Sequence, residues 1–111
     1  MLLVLVVCAS HAQAATYKTC KLSDSQQQPA GGVPTYNFTL KQRHTTCATA
    51  GKVARAFHKC RSKSGVTCTK RLLSHWRCTG AKTSKLEVLF YAKYTCSYGV
   101  RRVTGTYEQD I

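Results

Sequence analysis

Apolar and polar residues alternate most regularly near the end of the chain. Leu86, Val88, Phe90, Ala92, Tyr94 and Cys96 occupy every second position, with Glu87, Leu89, Tyr91, Lys93 and Thr95 between them. A period of two marks a strand with one buried face, so residues 86–96 read as a strand. Ser97-Tyr98-Gly99 then turns the chain, and residues 100–107 return as its hairpin partner. Tyr36, Phe38 and Leu40 alternate with Asn37, Thr39 and Lys41, which predicts an earlier strand buried on the Tyr36-Phe38-Leu40 face. Between these strands the period changes. In Cys47–Cys60 the residues Cys47, Ala50, Val53, Ala54 and Phe57 recur at helical spacing, and Lys52, Arg55 and Lys59 line the other side. Thr45 or Thr46 caps this helix, because a side-chain oxygen can accept from a first-turn N–H. Gly51 weakens the helix by up to ~1 kcal/mol, but its bare backbone allows close packing on a sheet. A short strand around Trp76-Arg77-Cys78, followed by a turn over residues 79–84, completes the order β-α-β-β-β. That order predicts an α+β fold in which one helix packs on a small antiparallel sheet.

Ahead of these elements the pattern differs. Residues 1–14 open with an apolar run and end in Ala12-Gln13-Ala14, the small-x-small layout of a secretory signal peptide, with cleavage expected before Ala15. The run falls short of the ~20 residues that cross a bilayer, so no transmembrane anchor is expected from it. Cys8 lies inside this leader, and Val7 before it is too large for lipoprotein processing. Residues 15–35 are polar and carry Gly31-Gly32 and two prolines, which reads as an N-terminal extension and linker. Residues 36–111 then form the small basic α+β domain, beginning near Tyr36.

With the leader removed, six cysteines remain: Cys20, Cys47, Cys60, Cys68, Cys78 and Cys96. An even number in an oxidising compartment implies a three-disulfide framework, for which about fifteen connectivities exist. Spacing alone nominates only Cys60 with Cys68, a short loop whose closure is worth about 2.5 kcal/mol. Such staples matter because a core this small is marginal.

The chain carries 17 Lys and Arg against 4 Asp and Glu, a formal net charge of +13. An excess of this size attracts polyanions and bears on partners rather than on fold. The cations nominated for contact are Lys52, Arg55 and Lys59 on the helix, and Arg61, Lys63, Lys70, Arg71 and Arg77 after it. Arg101 and Arg102 on the last strand complete the set. Anionic cell-wall polymer, nucleic acid or an acidic membrane surface are the partners such a patch fits by charge and counterion release.

The run Thr46-Cys47-Ala48-Thr49-Ala50-Gly51-Lys52-Val53-Ala54-Arg55-Ala56-Phe57-His58-Lys59-Cys60 resembles small secreted proteins of soil actinobacteria, particularly Solirubrobacter-like lineages. Cys68-Thr69-Lys70-Arg71-Leu72-Leu73, Trp76-Arg77-Cys78, Tyr94-Thr95-Cys96, Arg101-Arg102-Val103 and Thr106-Tyr107 follow in the same order. The resemblance runs from Tyr36 to the C terminus. It implies export, disulfides and a helix-plus-sheet domain, and it brings no activity and no catalytic residue.

Other chemistry finds little support. His44, His58 and His75 each lie near a cysteine, but zinc needs free thiolates, and disulfide sulfurs ligate poorly; no metal and no cofactor are expected. The same three histidines with Lys, Arg or Glu87 contain the parts of a ribonuclease, namely base, acid and phosphate-binding cation. Nothing in the sequence brings them together. No Gly-x-Ser-x-Gly elbow and no phosphate-binding glycine loop occurs. The reading is therefore an exported, disulfide-stabilised, non-enzymatic module that associates with anionic polymers. A membrane-active antimicrobial or toxin-like protein and a secreted ribonuclease are the alternatives.

Overall fold

The computed structural model describes residues 16–28, 35–62 and 65–111. The expected leader (residues 1–14), residues 29–34 of the expected linker, and Lys63 fall outside them. The described elements run β1 (Lys18–Thr19), α1 (Asp24–Gln27), β2 (Thr35–Arg43), α2 (Cys47–Cys60), β3 (Arg77–Lys85), β4 (Leu89–Tyr98) and β5 (Arg101–Asp110). All strands pair antiparallel in one sheet of order β1-β2-β5-β4-β3. From β2 onward this is the β-α-β-β-β order of an α+β fold.

Helix α2 forms where the period predicts it. Thr46 caps its start, accepting from the Thr49 N–H at 3.1 Å, and Ala50, Val53 and Phe57 are fully buried. The apolar stripe packs on one sheet face, made by Leu40 of β2, Phe90, Ala92, Tyr94 and Cys96 of β4, and Val103 and Tyr107 of β5. Phe57 stacks on Tyr94 with ring centroids 4.4 Å apart and meets Tyr107 edge-on. Burying each such side chain contributes roughly 1.5–3 kcal/mol. Gly51 does not approach the sheet. A Cβ there would lie 2.7 Å from Gln26 Nε2, so the close approach that glycine permits is with α1.

Three strand expectations change. Residues 79–84 are not a turn: β3 continues through them, with a register shift between Lys82 and Ser84, paired with β4 from Arg77↔Ser97 to Lys85↔Phe90. The polar, glycine-containing composition reads as a turn locally, but the backbone ladder to β4 overrides it. The real turn lies at Leu86-Glu87-Val88, so Leu86 and Val88 point into solvent, 51% and 65% exposed. In β2 the Tyr36-Phe38-Leu40 face is broken by a bulge between Asn37 and Thr39. One extra residue reverses the alternation, leaving Leu40 buried and Phe38 53% exposed.

The ordered body also begins before Tyr36. β1 pairs with β2 through Lys18↔Gln42 and Thr19↔Lys41, and Cys20 joins Cys47 at the start of α2. Within the presumed linker, α1 forms one turn with a capping box between Ser23 and Gln26, and the Asn37 amide donates to the Gln26 carbonyl at 2.7 Å.

The three disulfides are Cys20–Cys47, Cys60–Cys68 and Cys78–Cys96. The second is the pair that spacing nominated. Cys20–Cys47 ties the N-terminal segment to α2, and Cys78–Cys96 links directly opposed residues of β3 and β4, with Cα atoms 4.0 Å apart. Restricting the unfolded chain in these loops is worth about 3.6, 2.5 and 3.2 kcal/mol in sequence order.

Candidate functional site

Because α2, α1 and the residues around Cys68, Leu72 and Trp76 cover the same side of the sheet, the molecule presents two very different surfaces. One is the outer side of α2, where Lys52, Arg55 and Lys59 are exposed as the helical period requires. The other is the far side of the sheet, on which no described element packs. Arg77 and Arg102 project there from either side of Ser97, joined by Arg43, which pairs with Arg102, and by Lys41 and Lys93; these last three were not nominated from the sequence. Only the strand register gathers these five residues, so no local signal in the sequence could have shown that they share a face.

The remaining nominated cations scatter. Lys70 and Arg71 are exposed in the segment between Cys68 and Leu72. Arg101 sits at the β4–β5 turn with its guanidinium 4.7 Å from the Tyr98 ring centroid. Among the described residues, no Lys or Arg forms an ion pair with an acid.

Arg61 is the exception to exposure and a correction to the sequence reading. It is 7% exposed, turned inward from the end of α2. Nε donates to His58 Nδ1 at 2.9 Å; one terminal nitrogen donates to the Ser62 and Gly65 carbonyls, each at 3.4 Å. The other donates to Thr35 Oγ1 at 3.2 Å and to Gln109 Oε1 at 2.9 Å. All of the guanidinium's N–H donors thus have acceptors, and its plane lies 4.4 Å from the Tyr107 ring centroid. Burial lowers the Arg61 pKa, but the uncharged hydrogen-bond ring and the aromatic face offset the lost hydration. Arg61 pins α2 to the β2–β5 pair and offers nothing to an external polyanion.

The histidines do not converge on a common cleft. Burial, with the Arg61 charge beside it, lowers the His58 pKa to about 3, so the ring is neutral. Its Nδ1 accepts from Arg61, which puts the proton on Nε2, a sealed atom without a partner. A base this weak, packed edge-on against Tyr107, is unsuited to proton transfer at neutral pH. His75 is exposed and stacks on Tyr98 at 4.6 Å. His44 is exposed in left-handed backbone (φ 58°) between β2 and α2. The described residues contain no cluster of three or more His, Cys, Asp or Glu able to hold a metal. Burial also raises the Tyr94 and Tyr107 pKa values.

Comparison adds no kinship. No protein family, curated protein or solved structure matches this chain. No helix among the described residues is long and apolar enough to cross a membrane. What the site offers is therefore read from its chemistry: two exposed cationic surfaces on opposite sides of a disulfide-stapled body.

Proposed function

We propose that the protein is an exported, non-enzymatic module that associates electrostatically with anionic polymers at or beyond the cell surface. The observation that carries this reading is the excess of cations, 17 Lys and Arg against 4 acids, with the described lysines all exposed. Arg61 alone among the described arginines is buried. Three disulfides support a compartment outside the reducing cytosol, as do the leader-like residues 1–14. The proposed kinship with small exported proteins of soil actinobacteria fits the same setting.

Binding of this kind releases counterions, so affinity falls steeply with salt. Titration with polyphosphate or a nucleic acid is expected to show a loss of about 10³-fold or more between about 50 and 200 mM salt. Affinity that stays flat over that range overturns the reading. Export is checked separately: the protein recovered from culture medium is expected to begin at Ala15 and to carry no free thiols.

A further inference from the structure

The uncovered sheet face carries its charge in a pattern that the strand register creates. Across the strands, Arg43 lies opposite Arg102, Arg102 opposite Ser97, and Ser97 opposite Arg77. With strands about 4.8 Å apart, the three arginines span roughly 15 Å. The next row holds Lys41, Thr104, Thr95 and Thr79, and in the third Lys93 lies opposite Thr106. The polarity then reverses. Tyr36, Glu108 and Tyr91 form the fourth row, and Asp110 lies opposite Leu89 beyond it. Cations hold one end of the face, hydroxyls the middle and two carboxylates the other end, roughly 20 Å from Arg102.

We propose that the arginine end of this face binds a phosphodiester-linked polyol chain, free of aromatic bases, laid across the strands. This rests on the electrostatic reading above and names the surface and the ligand chemistry. Guanidinium forks match phosphate oxygens two at a time, which lysine ammonium groups do not. The serine and threonine hydroxyls beside them suit polyol hydroxyls and the remaining phosphate oxygens. Arg102 is tied to the hairpin turn through one nitrogen, which donates to the Gly99 and Arg101 carbonyls.

The distribution of rings argues against single-stranded nucleic acid as the occupant. Such ligands are held by a cationic track and stacking platforms together. Here the ring at the arginine end, Tyr17, already has the Arg43 guanidinium 4.9 Å from its centroid. The outward rings Phe38 and Tyr91, 6.2 Å apart, stand at the acidic end. Glu108 lies opposite Tyr91 across the strands and raises its pKa, so a base stacked there sets its phosphates against a carboxylate. Charge and stacking are separated along the face.

The test is calorimetric titration of the oxidised protein with poly(glycerol phosphate) and with oligo(dT) of equal phosphate number, at several salt concentrations. The variant R43Q/R77Q/R102Q is compared with K52Q/R55Q/K59Q, which removes the same charge from α2. The expected result is tighter binding of poly(glycerol phosphate), with the sheet variant weakened about tenfold and its salt slope flatter by about 2, while the helix variant changes less than half as much. Equal losses in the two variants overturn the proposal, as does tighter binding of oligo(dT). No binding of either polymer overturns the electrostatic reading and the proposal with it. If the glutamine variant melts early, R43K/R77K/R102K keeps the charge and removes the forks. Weakened poly(glycerol phosphate) binding is then expected, and unchanged binding overturns the proposal.

Discussion

Arg61 and His58 show how one side chain can be decided by its surroundings against its type. From the sequence, Arg61 is another cation in a basic run; in the structure it bonds His58, Thr35 and Gln109, three residues from three elements. Replacing it with methionine roughly keeps the volume but removes the donor to His58 Nδ1 and Thr35 Oγ1, while Gln109 Oε1 keeps the Thr35 hydroxyl. A loss of about 3 kcal/mol in urea unfolding is expected, with polyanion affinity essentially unchanged. His58 packs against the Phe57, Tyr94 and Tyr107 rings and beside the Arg61 cation, and its burial and that charge both disfavour an imidazolium. Its pKa is about 3 when folded, against an ordinary 6.5, so below pH 6.5 the unfolded chain takes up a proton that the folded chain refuses. The His58 contribution to stability is therefore whole above pH 6.5 and is lost as pH falls towards 3, by about 1.4 kcal/mol per unit. Urea unfolding across that range measures the slope, and H58Q is expected to flatten it.

At the scale of elements, α2 and the inward face of β4 were legible because their information is local. A cap at Thr46, a helical stripe through Ala50, Val53 and Phe57, and alternation through Phe90, Ala92, Tyr94 and Cys96 need no distant partner. β3 was illegible for the converse reason. Thr79-Gly80-Ala81 has no apolar pattern of its own and becomes a strand only because β4 offers a ladder and Cys96 a bond to Cys78. Gly80 also has a packing role there, since a Cβ would collide with the Val66 carbonyl oxygen. Gly105 of β5 has a similar one: its Cβ would lie within 2.7 Å of the Tyr94 ring that covers it. Gly105→Ala is expected to cost about 1–3 kcal/mol by displacing that ring. Phe38→Thr, on the bulge, is expected to change thermal stability by less than about 0.5 kcal/mol, the opposite of what the alternation suggests. Exposed Lys82 and Lys85 on β3, the edge strand, oppose pairing with another sheet.

For the whole molecule, the disulfides supply free energy comparable with the ~5–15 kcal/mol that an ordinary domain possesses. Reduction is expected to abolish the strand signal in far-ultraviolet circular dichroism at about 37 °C. Peptide mapping without reductant is expected to recover the three pairs separately. The amino-acid order by itself determined the net charge, the helix with its cap, the inward face of β4 and the one disulfide that closes a short loop. Each depends on residues close together in the chain. Tertiary structure alone decided which cations share a surface, why Arg61 turns inward and Phe38 outward, and how Cys20 and Cys78 find their partners. A strand's register sets neighbours dozens of residues apart, and a single bulge inverts what every following side chain faces.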